Sequence, residues 1–157
     1  MPTVSRSRVI AAPQQRVWEL VSDPHHLPRW WPRAMRVEDV RGEGQRAQWT
    51  LVLGTERGTG VRVDFRCTGS TRPERLAWEQ RLEGTPFERI LKGAEIEIGL
   101  QPGGEGATEV TLRSDESLRG MSRLGGPMLR RATGRRLNEA LDGIEGALVE
   151  RAGDADG

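Results

Sequence analysis

Apolar and polar residues alternate along the middle of the chain, and this alternation predicts β-strands. In the clearest run, Val61, Val63, Phe65 and Cys67 alternate with charged or polar residues. A period of two residues places these four side chains on one face of a strand. The same criterion predicts strands in six further segments, which cover residues 3–10, 35–40, 45–53, 76–82, 88–100 and 110–116.

Proline residues mark two short helices that follow the first strand. Pro13 suits a first helical turn because it lacks a backbone N–H, and Asp23 and Pro24 end that helix. Pro24 opens a second short helix that continues to Trp30, and we expect the Asp23 side chain to cap it. Since Trp30 and Trp31 are consecutive, at most one of them is expected to point fully inward.

The C-terminal segment changes to a helical period. We expect one long helix from about Pro127 to about Arg151, followed by a flexible tail at residues 152–157. Its core-facing residues are predicted from their spacing of three and four, and they are Leu137, Leu141, Ile144 and Leu148.

Consecutive strands flanked by helices predict an α+β fold, formed by a single domain over residues 1–151. The expected architecture is a helix-grip arrangement, in which a curved seven-stranded antiparallel sheet surrounds the long C-terminal helix. A parity change around Ile90 and Leu91 predicts a bulge or strong bend near Arg89. A strongly curved sheet stands off from a helix at one end, so this architecture predicts an apolar cavity.

Inward-facing positions of the strands and helices are the candidate ligand-binding residues. They are Trp30, Trp49, Phe65, Trp78, Gln80, Leu91 and Ser114, together with Leu124, Met128, Leu129 and Ala132 on the long helix. Methionine adapts to irregular shapes, which suits the wall of a ligand site. The same residues also fit an ordinary packed core, so the pattern leaves both interpretations open.

Glu116 is the candidate for acid/base chemistry because it shares the inward parity of its strand. A buried carboxylate is costly unless it is paired or protonated. It could therefore pair with Lys92 or Arg89, act as a general acid or base, or simply lie in water at the end of the strand.

The overall charge of the chain gives no preference for a class of charged partner. The chain has 157 residues and a net charge of +1, so no overall field favours nucleic acid or an anionic membrane. One segment, from Arg119 to Arg136, contains several Arg and no acidic residue. It is either a solvated helix face or a surface for phosphate or a protein partner.

Metal and cofactor sites are not expected. His25 and His26 are adjacent and point in different directions, and no Cys, Asp or Glu cluster accompanies them at metal-ligand spacing. No phosphate-binding glycine loop is present. Cys67 is the only cysteine, and no segment resembles a signal peptide or a membrane span. We therefore expect a cytoplasmic location.

The segment VIAAPQQRVWELVSDPHHLPRWWP resembles the opening of the START-like (SRPBCC) superfamily, which includes polyketide cyclases/dehydrases and lipid-transfer proteins. The resemblance rests on Ala12-Pro13, Val17-Trp18, Asp23-Pro24 and Trp30-Trp31. The C-terminal segment GGPMLRRATGRRLNEALDGIEGALVE is similar to the last helix of that superfamily. The resemblance implies the same fold over nearly the whole chain, but it does not specify an activity.

Binding or transport of a small hydrophobic molecule, such as a lipid, isoprenoid or polyketide, is the function that the pattern favours. The alternatives are a polyketide cyclase/dehydratase and a ribosome- or protein-interacting module. The sequence contains no Tyr, a residue that cyclases of the superfamily tend to use, and this weakens the enzyme interpretation. We expect a monomer or homodimer without a specific nucleic-acid partner.

Overall fold

A seven-stranded antiparallel sheet and one long helix dominate the computed structural model, which describes residues 3–55, 58, 60–89, 91–118 and 126–155. The strands are β1 (Thr3–Ile10), β2 (Ala34–Arg41), β3 (Gln48–Leu53), β4 (Val61–Thr71), β5 (Arg75–Gln80), β6 (Leu91–Pro102) and β7 (Thr108–Leu118). The α-helices are α1 (Gln14–Ser22), α2 (Leu27–Trp30) and α3 (Gly126–Ala155). The predicted α+β helix-grip fold is confirmed.

The strand order is β1-β7-β6-β5-β4-β3-β2, so the first two strands of the chain form opposite edges of the sheet. Strands β2 to β7 follow one another as antiparallel neighbours. β1 pairs with β7, and Val4 lies opposite Ser114. The two short helices α1 and α2 therefore connect one edge of the sheet to the other.

The short helices form where the proline pattern places them. Pro13 precedes α1 in an extended conformation, and the apolar side of α1 is buried at Val17, Trp18, Leu20 and Val21. The Asp23 carboxylate accepts a hydrogen bond of 3.0 Å from the backbone N–H of His25. This confirms Asp23 as the cap of the turn that begins at Pro24.

The long helix packs mainly on β1, β7, α1 and α2. Its predicted core stripe is confirmed, since Leu137, Leu141 and Ile144 are fully buried and Leu148 is nearly so. The helix begins one residue before Pro127 and continues to Ala155. Residues 152–155 of the predicted tail are therefore helical, and residues 156 and 157 lie outside the described part of the chain.

The β5–β6 connection differs from the prediction. Residues 86–89 form a 3-10 turn, and β6 begins at Leu91 rather than near residue 88. The shift in pairing falls between Leu91 and Gly93, not at Arg89. Leu91 lies opposite Leu118 and is buried, whereas Ala94 lies opposite Glu116. The parity change in the sequence is therefore absorbed by a bulge inside the strand.

Candidate functional site

An aromatic cluster fills the middle of the concave face of the sheet. Trp78 on β5 is its centre, with ring-centroid distances of 5.6 Å to Trp49, 6.4 Å to Phe65 and 6.2 Å to Trp30. Trp49 and Phe65 lie opposite each other on β3 and β4 and stack at 6.0 Å. Such pairs stabilise by about 0.5–1.5 kcal/mol each beyond the burial of apolar surface.

Both Trp30 and Trp31 belong to this cluster, so the prediction that only one points inward is wrong. Their exposed fractions are 2% and 6%, and both rings contact Trp78. Trp30 ends α2, whereas Trp31 has an extended backbone at φ −81° and ψ 130°. Because the backbone changes conformation between them, two consecutive side chains can enter the same interior.

The interior beside this cluster is closely packed. A void of about 10 Å³ lies among residues of α1, β3, β4 and β5, including Val21, Cys67, Leu76 and Trp78. Space of this size holds about one water molecule. The space between α1 and strands β3 to β5 is therefore filled almost completely by side chains of the chain itself.

The concave face is open next to the cluster, toward the N-terminal half of α3. Phe65, Gln80 and Ala94 carry the inward parity of β4, β5 and β6, yet all three remain partly exposed. Trp78, which shares the parity of Gln80 on β5, is 3% exposed. Because α3 packs mainly on β1 and β7, this part of the inner face lacks close cover from the described part of α3.

A buried polar cluster borders this open region. The Glu116 carboxylate oxygen Oε1 accepts hydrogen bonds from Arg136 Nη2 at 2.6 Å, Ser114 Oγ at 3.3 Å and Thr133 Oγ1 at 3.4 Å. Glu116 is 8% exposed and Ser114 is 1% exposed. The alternative that Glu116 lies in water is thus wrong. Its cation among the described side chains is Arg136 on α3 and not Arg89, which is exposed, whereas the side chain of Lys92 lies outside the described part of the chain.

Three buried N–H donors in this region have no acceptor among the described residues. They are Trp30 Nε1, Trp49 Nε1 and Arg136 Nε. An unsatisfied buried donor costs about 1–3 kcal/mol, so each of these groups calls for an acceptor from water, an ion or a ligand. Gln80 offers a further amide whose side chain makes none of the hydrogen bonds found among the described residues.

The prediction of ligand-binding residues on the long helix is partly wrong. Met128 is 79% exposed and Ala132 is also exposed, so neither lines the interior. The buried stripe of α3 continues back from Leu137 to Thr133, whereas Ala132 is five residues from Leu137 and lies on another face. Leu129 is half-buried, as a wall residue would be. Leu124 lies outside the described residues.

Thr133 and Arg136 are the residues of this region that sequence reasoning missed. Counting back by helical spacing from Leu137 would have identified Thr133. Arg136 carries no comparable signal, because it is one of four exposed or half-exposed arginines between residues 130 and 136. Only the three-dimensional contact with Glu116 distinguishes it from the others.

The pKa shifts of two groups outside the polar cluster, Cys67 and Asp23, have structural causes. Burial raises the pKa of the Cys67 thiol, although its hydrogen bond to the Gly69 carbonyl opposes this. Burial alone would also raise the pKa of Asp23, but hydrogen bonds from the His25 backbone and ring lower it overall. Within the described ranges, no three His, Cys, Asp or Glu residues are grouped to hold a metal ion.

A polar cleft of about 1230 Å³ extends over strands β2 to β7 and the β5–β6 connection, and its lining includes the partly exposed residues Phe65, Gln80 and Ala94 of the open inner face. Charges of both signs line it and neutralise one another in part, as in the ion pair of Arg66 with Glu79. Outside the part formed by Phe65, Gln80 and Ala94, this mixture of charges favours no single class of ligand. Each helix in the described part of the chain is too short or too polar to cross a bilayer.

Solved structures of similar fold include a protein from Thermus thermophilus, with a TM-score of 0.76 and 22% identity over 96% of this chain and 99% of that one. A START superfamily protein from Mycobacterium smegmatis has a TM-score of 0.75 and 17% identity, with 94% and 97% coverage. The Zhui aromatase/cyclase from Streptomyces sp. R1128 has a TM-score of 0.75 and 21% identity, with 96% and 94% coverage. These identities show a shared fold only.

No curated protein matches the sequence. A family model described as polyketide cyclase / dehydrase and lipid transport matches residues 1–149, which is nearly the whole chain. The match agrees with the resemblance of the Ala12-Pro13 and Asp23-Pro24 segments to the START-like superfamily. The chain therefore belongs to the polyketide cyclase/dehydrase and lipid transport family.

Proposed function

We propose that the protein binds a small, largely apolar molecule against the open part of the concave face, between Phe65, Gln80, Ala94 and the N-terminal half of α3. The observation that carries this proposal is the partial exposure of these three inward-facing residues beside the buried tryptophans of the aromatic cluster. An apolar wall with a few convergent polar groups is the usual composition of a small-molecule site.

The polar groups favour a ligand that carries at least one hydrogen-bond acceptor. Trp49 Nε1 and Arg136 Nε are buried donors without an acceptor among the described residues. A carbonyl or phenolic oxygen would satisfy either donor, whereas a pure hydrocarbon would leave both unsatisfied. The flat rings of Trp49 and Phe65 favour a planar ligand that can stack.

Calorimetric titration with 2-naphthol, a planar phenol, tests the proposal. Ala94→Trp places a large side chain on the inner face of β6 and is expected to weaken binding at least tenfold. Ala132→Trp makes the same change on an exposed position of α3 and is expected to leave the affinity unchanged. Equal affinities in the two variants, or no binding by the unmodified protein at millimolar concentration, would contradict the site.

Cyclisation of a polyketide-like substrate is a second candidate, and the buried carboxylate of Glu116 favours it. Its carboxylate accepts a hydrogen bond from Arg136 at the border of the open region, and a carboxylate in such a place is a candidate general base. Incubation with a linear poly-β-carbonyl thioester, followed by mass spectrometry, would show cyclisation with dehydration as the loss of one water. Binding alone predicts no such product, whereas catalysis by Glu116 predicts a product that Glu116→Gln abolishes.

A further inference from the structure

Four arginines form an exposed basic patch where β1 meets the N-terminal half of α3. They are Arg6, Arg130, Arg131 and Arg135, and all four side chains are exposed. None of them takes part in an ion pair with an acid of the described residues, whereas Arg8 on the same strand binds Asp142 at 2.5 Å. No ion pair among the described residues therefore compensates the charges of these four arginines.

The patch is held together by a close approach of β1 to α3 at Gly134. A Cβ atom at position 134 would lie 2.5 Å from Arg6 Nη2, so the Arg6 guanidinium lies directly against the helix backbone at this glycine. Arg130 lies one turn before Gly134, and Arg131 and Arg135 are neighbours at a spacing of four residues. Repulsion among like charges at this spacing disfavours the arrangement unless an anionic partner compensates it.

Two observations decide which anionic partner fits. Met128, one turn before Arg131 on α3, is 79% exposed and presents an apolar side chain beside the charges. All five Trp side chains are buried at 6% exposure or less, so the patch offers none of the indole surfaces on which unpaired bases stack. Arginines beside an exposed apolar residue instead match a bilayer surface with phosphate headgroups above acyl chains.

We propose that the basic patch docks the protein on membranes that contain anionic phospholipids, with Met128 entering the interfacial region. The net charge of the whole chain is only +1, so the attraction is local to this face. It is screened over about 8 Å at physiological ionic strength, which requires direct contact with the membrane. The proposal is independent of what binds inside the sheet.

Sedimentation with vesicles tests the docking. The unmodified protein is expected to bind vesicles of phosphatidylcholine with 30% phosphatidylglycerol, and to bind pure phosphatidylcholine vesicles far more weakly. Each arginine near an anionic surface contributes roughly a fivefold factor, so Arg131→Ala with Arg135→Ala lowers the partition coefficient by roughly 30-fold. Binding should also fall steeply between 50 and about 200 mM salt, as expected for screening of charges.

Arg41→Ala with Arg46→Ala is the matched control, because both arginines are exposed and lie at the opposite edge of the sheet. This control should bind like the unmodified protein. Met128→Ser should weaken binding several-fold without changing its dependence on salt. Equal loss in both double variants, equal binding to neutral vesicles, no binding, or tighter binding to a mixed-sequence RNA oligonucleotide at the same salt would each overturn the proposal.

Discussion

Gly143 lies where α3 crosses the end of α2, and its replacement by alanine gives a quantitative test of the packing. A Cβ atom at position 143 would clash with the backbone carbonyl group and Cα of Trp30. The clash is with backbone rather than with the end of a flexible side chain. Relief therefore requires α2 and α3 to separate, and this moves Trp30 within the aromatic cluster.

The magnitude follows from two opposing effects. Alanine is favoured over glycine inside a helix by about 1 kcal/mol. Overpacking of a well-filled interior costs typically about 1–3 kcal/mol, and contact with backbone places this site at the upper end of that range. We therefore expect Gly143→Ala to lower the free energy of unfolding by about 2 kcal/mol, which lowers the melting temperature by about 4–8 °C.

Gly146 on the same helix is the control, since a Cβ atom there would meet nothing within 4 Å. Gly146→Ala should raise the free energy of unfolding by about 1 kcal/mol through helix propensity alone. Urea unfolding followed by tryptophan fluorescence measures both variants. If Gly143→Ala proves as stable as Gly146→Ala, the close approach of α3 to Trp30 is refuted.

Two further predictions concern titratable groups. Burial raises the pKa of the Cys67 thiol, and the residue is only 8% exposed. A disulfide reagent at pH 8 should therefore modify Cys67 slowly in the native protein and rapidly in urea. Equal rates would show that the interior opens freely. A hydrogen bond from Arg75 lowers the pKa of Glu97 below its ordinary value of 4.5, so this pair stabilises the fold above that pH and loses its contribution as the pH falls. Glu97→Gln should therefore lower the free energy of unfolding by less than about 1 kcal/mol at pH 7, because the pair is partly exposed. This difference should vanish in unfolding measurements near pH 2. A difference that persists in acid would exclude the ion pair as its source.

The fold was predictable because local signals agree with the global arrangement. Alternation around Val61 to Cys67, the cap at Asp23 and the stripe from Leu137 to Leu148 each specify an element without reference to the rest of the chain. These signals fix parity and period, and the structure confirms both. The parity of the sequence predicts the bulge near Arg89, slightly before its position at Leu91. Parity alone shows that a residue is inserted, but not where the pairing shifts.

The candidate site was less predictable because it depends on contacts between distant elements. Met128 follows a regular helical spacing within the N-terminal half of the helix, as the core stripe does within the C-terminal half. The two series lie on different faces of the helix, so regular spacing alone does not show that Met128 faces the core. Trp31 enters the interior through an extended backbone conformation that Pro32 favours for the residue before it, but the sequence does not show where this turns the side chain. The pairing of Glu116 with Arg136 depends on how far α3 lies from β7.

The pairing of β1 with β7 has a consequence for how the chain folds. Each strand from β3 to β7 can pair with the strand that comes before it in the chain. β1 instead pairs with β7, so Val4 cannot be paired until Ser114 has been synthesised. Contacts between residues so far apart along the chain close slowly, because the entropy of the intervening loop is lost before the contact stabilises anything. On a ribosome, the N-terminal strand would remain without its partner until nearly the whole sheet had emerged. Residues 3–10 are therefore the segment that most needs protection from mispairing during synthesis, and the charged and hydroxyl side chains of the run SRSR within this edge strand discourage it.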